Sequence, residues 1–235
     1  MSLKFLFALF VISILANTQP VFAQTNTAPQ IILTWQAHSY LPSGYQGKAL
    51  PPRDSTVDVY LEFLDNDKIM PLDKNFIRYE VNDRFLAAGV GLKKVSFTLN
   101  QFTARNYVVT ATVKEYRGSD TAGDIRGDTK DIKKSVVINR VDPLVVINAP
   151  IARNQIKTNT ATLTALPYFF KSLNPSDLVF IWKVNNAFVE GFLSNLTLTL
   201  QPSAEPQTLF VSVTAANRDN SVESATASEK FIIQK

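Results

Sequence analysis

The segment Leu178–Gly191, LVFIWKVNNAFVEG, occurs a second time, in altered form, at Phe76–Gly89, FIRYEVNDRFLAAG. Trp182 stands where Tyr79 stands, Val184 where Val81, Asn185 where Asn82 and Phe188 where Phe85, at one constant separation. Within each copy apolar residues alternate with polar or outward ones: Ile77, Tyr79 and Val81 in the first, Phe180, Trp182 and Val184 in the second. A period of two is that of a half-buried β-strand. The pairs Asn82-Asp83 and Asn185-Asn186 tolerate the positive φ that a two-residue hairpin turn needs, so Phe85 and Phe188 begin return strands and each copy is a hairpin.

The parallel extends along the chain. Val95, Phe97 and Leu99 match Leu196, Leu198 and Leu200, while Val109, Ala111 and Val113 match Val211, Val213 and Ala215. Small drifts in separation mark loops of different length. No window after the N-terminus sustains apolar residues at i, i+3, i+4 and i+7, so a helical reading fails. A large aromatic on the first strand of a central hairpin, facing inward between layers of alternating strands, resembles the core aromatic of immunoglobulin-like sandwiches, at roughly 100 residues per domain. The fold expected is all-β: two tandem immunoglobulin-like β-sandwich domains, residues 28–140 and 144–235, after a cleaved signal peptide, residues 1–23.

That signal peptide is read from a basic start at Lys4, an apolar run from Phe5 to Ala16, Pro20, and Val21-Phe22-Ala23 ahead of Gln24. The run is about twelve residues, against the roughly 20 of a membrane-spanning helix. Nothing downstream is apolar enough to span, and with no cysteine there is neither a lipid-attachment thiol nor a disulfide. With 46% hydrophobic residues the chain can bury a core, and an exported protein without disulfides must hold its sandwiches by packing alone. The net charge of +4 comes from 24 basic and 20 acidic residues interspersed along the chain, a weak footing for nucleic acid as a partner.

Catalytic chemistry has little to draw on. The 1 histidine, His38, has no GxSxG-type nucleophile motif near it, and one histidine without cysteine cannot build a zinc site. No glycine-rich phosphate loop stands at a strand-to-helix turn, and no cofactor is expected. Two connections are the candidate binding elements. Gln36–Ser55, QAHSYLPSGYQGKALPPRDS, is too rich in proline and glycine for regular structure, and Trp35, Tyr40 and Tyr45 are its candidate ligand-stacking rings; the same rings also suit a lid over one end of the core. Gly118–Asp131, GSDTAGDIRGDTKD, carries Asp120, Asp124 and Asp128 as candidate calcium ligands, although their spacing is not that of an EF-hand and Arg126 and Lys130 compete for them.

The strand Lys134–Asn139 closes the first domain, with Val136 and Ile138 on one face. Arg140-Val141-Asp142-Pro143 is then the whole linker before the strand Leu144–Asn148, too short and stiff for independent tumbling. Ala161, Leu163 and Ala165 form the next inward face, ended by Pro167, and Tyr168-Phe169-Phe170 reads as a core plug or a domain-contact surface. Phe231–Ile233 is the closing strand.

Together the signal peptide, the cysteine-free doubled hairpin with Tyr79 or Trp182, and the segments ILTWQAHSYLPSGYQGKALP and VVINAPIARNQIKTNTATLTALPYFF resemble bacterial secreted proteins of tandem Ig-like or PKD-like domains. The resemblance implies a non-enzymatic structural or binding protein, secreted, periplasmic or on the cell surface, contacting proteins or glycans. Two alternatives stay open. One is a pilus-type chaperone, also a pair of Ig-like domains, whose first domain would end on the five-residue strand Ser135–Asn139 with Arg140 as a carboxylate clamp. The other is a carbohydrate-binding accessory module using Trp35, Tyr40 and Tyr45.

Overall fold

The computed structural model describes residues 28–66, 68–99, 105–116, 129–189, 191, 193–200 and 205–234. The segment expected as a signal peptide and Asp120, Asp124 and Asp128 lie outside the described residues. Eight strands form the first half: β1 (Gln30–Ala37), β2 (Thr56–Asp65), β3 (Lys68–Ile69), β4 (Phe76–Val81), β5 (Arg84–Val90), β6 (Lys94–Thr98), β7 (Asn106–Tyr116) and β8 (Lys130–Asn139). In one sheet β2 pairs with β1, β3 and β6; the other runs β5-β4-β7-β8. The second half repeats the plan with β9 (Leu144–Asn148), β10 (Gln155–Ile156), β11 (Thr160–Tyr168), β12 (Leu178–Val184), β13 (Ala187–Phe188), β14 (Asn195–Thr199), β15 (Gln207–Asn217) and β16 (Ser224–Ile233). Its sheets are β14-β11-β9 and β10-β16-β15-β12-β13. In both halves three antiparallel strands, β1-β2-β6 in the first and β9-β11-β14 in the second, face a sheet in which the repeated hairpin packs beside the last two strands. This is the strand order of an Ig-like sandwich in which the strand after the central one pairs back onto it.

Two separate apolar cores follow from the alternation. Ile77, Tyr79, Val81, Val109, Ala111 and Val113 are fully buried in the first, together with Val57, Val59 and Phe63 from the opposite sheet. Phe180, Trp182, Val211, Val213 and Ala215 occupy the matching places in the second, against Leu163 and Ala165. The two central rings each send a polar group to a carbonyl past the return strand: Tyr79 OH donates to Leu92 O at 3.1 Å, and Trp182 Nε1 to Leu193 O at 3.0 Å. Burial pushes the Tyr79 phenol far above its ordinary value. Truncating either ring to alanine would cost about 3–5 kcal/mol, the range for a buried aromatic.

The turns behave as their sequence requires. Asn82 and Asp83 have φ of 50° and 61°, Asn185 and Asn186 of 49° and 67°, the left-handed pair of a primed turn. Each leading asparagine also docks on the next strand. Asn82 N–H donates to Val108 O at 2.9 Å while its Oδ1 accepts from Val108 N–H at 2.8 Å; Asn185 N–H and Oδ1 engage Phe210 in the same way at 2.8 and 3.0 Å.

Three details depart from the sequence reading. The strand closing the first half begins at Lys130 and is ten residues long, so it is not the short segment Ser135–Asn139. Its apolar residues Ile132, Val136 and Ile138 pack on the first core, which leaves Lys133, Ser135 and the exposed Val137 facing outward. Pro167 does not end its strand: β11 continues through it to Tyr168. Partner β14 stops opposite Thr164, so at Pro167 only β9 is beside β11, and a residue without N–H is tolerated at such an edge. Finally, the return strand of the second hairpin spans only Ala187–Phe188, against seven residues for β5.

Candidate functional site at the junction of the two sandwiches

The proline-rich connection between β1 and β2 leaves its own sandwich and binds the other. Tyr40 N–H donates to Phe170 O at 2.7 Å and Phe169 N–H donates to Tyr40 O at 2.9 Å, a one-residue antiparallel bridge. The Tyr40 side chain packs on the second core, where Phe170 is fully buried. Pro42, Gly44 and Gly47 prevent the connection from folding back into a helix or strand, and so leave Tyr40 free to pair across the junction. On the receiving side Phe169 is held at φ 57°, a left-handed conformation that costs a bulky residue about 1–3 kcal/mol and persists only where surrounding contacts enforce it.

Tyr45 adds a ring to the same contact. Its centroid lies 5.7 Å from that of Tyr168 and 6.0 Å from that of Phe169, both edge-on, an arrangement favoured by the ring quadrupoles. Further along, Pro51 O accepts from Val141 N–H at 3.0 Å, which ties the end of the connection to the linker. A shallow groove of about 440 Å³ runs beside the bridge, with Tyr40 and Pro42 on one wall and Pro167, Leu178 and Phe180 on the other.

Of the rings singled out in the sequence, Tyr40 and Tyr45 therefore meet at one place, joined by Tyr168, Phe169 and Phe170. Trp35 does not belong to that cluster: it packs on the first core, and Lys48 Nζ sits 3.4 Å from its ring centroid. Desolvation there lowers the Lys48 pKa from its ordinary value. The three rings therefore do not share one surface: Trp35 packs on the first core and Tyr40 on the second. Asp131, the described aspartate of the Gly118–Asp131 loop, accepts from Lys114 Nζ at 2.6 Å and from Glu115 N–H at 3.2 Å.

One polar cluster escaped the sequence reading because its members are scattered along the chain. Asp58, buried on the outer side of β2, accepts from Ser96 Oγ at 2.5 Å, Lys94 Nζ at 2.9 Å and Tyr60 OH at 3.3 Å, and lies 3.2 Å from His38 Nε2. Burial alone would raise its pKa; the hydrogen bonds from Ser96, Lys94 and His38 and the Lys94 charge outweigh that and hold the carboxyl well below the usual carboxylate range. Serine, histidine and aspartate are all present, yet both the serine and the histidine are bonded to the aspartate. A nucleophilic relay needs the histidine between the other two. Among the described residues no group of three His, Cys, Asp or Glu side chains gathers in a metal-binding arrangement, and no helix is long and apolar enough to cross a membrane.

No protein-family model matches the chain, and no curated protein matches it. Among solved structures it is similar to three N-terminal domains of the Highly Immunogenic Outer Capsid protein of bacteriophage RB49, at 12% identity over 88% of this chain and 59% of that one, with a TM-score of 0.40. It is also similar to the Ig1–Ig3 ectodomain of mouse nectin-like molecule 4, at 15% identity over 88% and 65% with a TM-score of 0.33. The fibronectin(III)-like modules of Clostridium thermocellum CbhA give 13% identity over 86% and 93%, with a TM-score of 0.27. The chain thus spans 59% of the length of the capsid fragment it matches. These likenesses are distant, and the class rests on the strand order found twice: a protein of tandem Ig-like sandwiches, an architecture of structural and binding modules.

Proposed function

We propose that the chain is a non-enzymatic binding and spacing protein of the cell envelope, exported by residues 1–23 and built of two Ig-like domains, 28–140 and 144–235, that contact protein or glycan partners outside the cytoplasm. The observation that carries this reading is the Tyr40–Phe170 bridge. A connection that spends its aromatic residues on the neighbouring sandwich holds two bodies at a set angle, which suits a rod presenting its faces to large partners. With no cysteine to form a disulfide, the chain is held by the two cores and this contact between them.

Cell fractionation followed by N-terminal sequencing tests the location: the protein is expected outside the cytoplasm with Gln24 as its first residue, and an unprocessed cytoplasmic chain would refute it. Backbone NMR relaxation tests the rod. Residues of β4 and of β12 should report one common tumbling time, whereas two shorter, unequal times would show independent beads and remove the argument from the bridge.

A further inference from the structure

The duplication provides an internal reference for each surface position of the second sandwich. On the outer face of the first, register places Phe85, Glu80, Thr110 and Ser135 in one row across β5, β4, β7 and β8, with Val108 and Val137 paired in the row beside it. The corresponding rows of the second are Phe188, Lys183, Ser212 and Ser228, then Phe210 and Lys230. Where the first copy has Glu80, Val108 and Val137, the second has Lys183, Phe210 and Lys230.

These exchanges reverse the chemistry of the face. In the first sandwich two cations of this face are ion-paired: Arg78 Nη2 lies 2.7 Å from Glu80 Oε1 and Lys114 Nζ 2.6 Å from Asp131 Oδ2. In the second, the Lys183 ammonium sits 4.6 Å from the Phe188 ring centroid and that of Lys230 5.9 Å from Phe210, and among the described residues neither has a carboxylate within ion-pair distance. Both rings are open to solvent, Phe188 at 72% and Phe210 at 58% exposure. Between and beside them the sheet presents hydroxyls, Ser212 opposite Ser228 and Thr214 bonded to Thr226 at 2.9 Å.

We propose that this face is a binding surface for an anionic polysaccharide of the uronic-acid type, a reading that rests on the envelope function above and names its ligand class. Sugar rings lie on Phe188 and Phe210 through their C–H faces, carboxylates meet Lys183 and Lys230, and the serine and threonine hydroxyls, which both donate and accept, meet the sugar hydroxyls. An acidic peptide fits less well. An extended peptide brings its own backbone donors and acceptors, and β15, in the middle of the face, has none to offer because it is paired with β12 on one side and β16 on the other.

The test is affinity electrophoresis of the full chain in gels containing alginate, with dextran as the neutral polymer and poly-glutamate as the acidic peptide. Retardation is expected in alginate alone, abolished by the pair Lys183→Glu and Lys230→Glu. Phe188→Ala and Phe210→Ala should each weaken it about three- to tenfold, the worth of one ring contact. Phe85→Ala on the first sandwich should leave it intact. Because all five substituted side chains face outward, circular dichroism should not change; independently of any variant, alginate should protect Lys183 and Lys230 of the unmodified protein from amine acetylation. Equal retardation by poly-glutamate, no retardation by alginate, or unprotected lysines would overturn the assignment while leaving the fractionation result above untouched.

Discussion

Tyr40→Ala should destabilise the sandwich that does not contain residue 40. A fully buried aromatic removes about 150–250 Å² from water, and Tyr40 is half-buried, so roughly 80 Å² of apolar surface resting on the second core is lost. At about 25 cal/mol per Å² this is about 2 kcal/mol, and the bridge hydrogen bonds persist because they belong to the backbone. The protein carries its own reporters: its 2 tryptophans, Trp35 and Trp182, lie one in each body. In a Trp35→Phe background fluorescence follows the second sandwich, and in a Trp182→Phe background the first. With a urea dependence of about 1.3 kcal/mol per M for a domain of this size, Tyr40→Ala is expected to lower the Trp182-reported midpoint by about 1.5 M. The Trp35-reported midpoint should move less. A Trp182 midpoint that stays within error while the Trp35 midpoint falls would show that the connection stabilises its own sandwich only, and the reasoning from the bridge would be refuted.

The turn asparagines separate two effects: Asn185→Gly keeps the left-handed φ and loses the Oδ1 bond to Phe210, about 1 kcal/mol, whereas Asn185→Ala loses both, about 2–3 kcal/mol, and equal urea midpoints for the two would discount the backbone contribution. Asp58 predicts acid sensitivity. Its folded pKa is depressed, so its contribution is present above the unfolded value near 3.9 and lost as pH falls below it; urea midpoints should drop between about pH 5 and pH 2 more steeply for the natural protein than for Asp58→Asn, and parallel curves would contradict the cluster's role. At the alkaline end Tyr116, whose OH donates to Asp65 at 2.8 Å, is pushed up to about 12 by burial and by that carboxylate. A raised folded pKa means stability present below the ordinary phenol value near 10 and lost as pH rises through it; Tyr116→Phe should flatten the fall in midpoint between about pH 10 and pH 12, and an unchanged slope would assign that fall to other groups.

Period-two alternation at Ile77–Tyr79–Val81 and Phe180–Trp182–Val184 was enough to specify strands, burial and the inward rings, because local sterics and the apolar face agree there. The asparagine pairs specified the turns for the same reason. The start of β8 was illegible since Lys133 and Lys134 interrupt the alternation; Lys134 is exposed in spite of its pairing with Ala111, so it carries no apolar signal. Pro167 misled because the rule that proline ends a strand depends on whether a neighbour needs its N–H, and only the sheet order decides that. The Asp58 cluster draws on residues 38, 58, 60, 94 and 96, brought together by the pairing of β2 with β6, and no local pattern marks such a set. The destination of Tyr40 was invisible too: its proline and glycine neighbours say that the connection is irregular, not which body it lies on.

That destination also explains an asymmetry between the copies. In the second sandwich the connection after the first strand stays at home, where β10 pairs in parallel with β16 and Gln234 N–H donates to Ile156 O at 2.9 Å. Parallel pairing there closes the open side of the sandwich with its own chain. In the first sandwich the equivalent connection is longer, and its isolated bridge is made to Phe170 of the other body. The hydrogen bonds available to one short extended segment can be spent once. Spent at home they seal a domain; spent on the neighbour they fix an angle between domains. The first copy has taken the second course, and the strain at Phe169 and the rings of Tyr45 and Tyr168 gather where that choice is made.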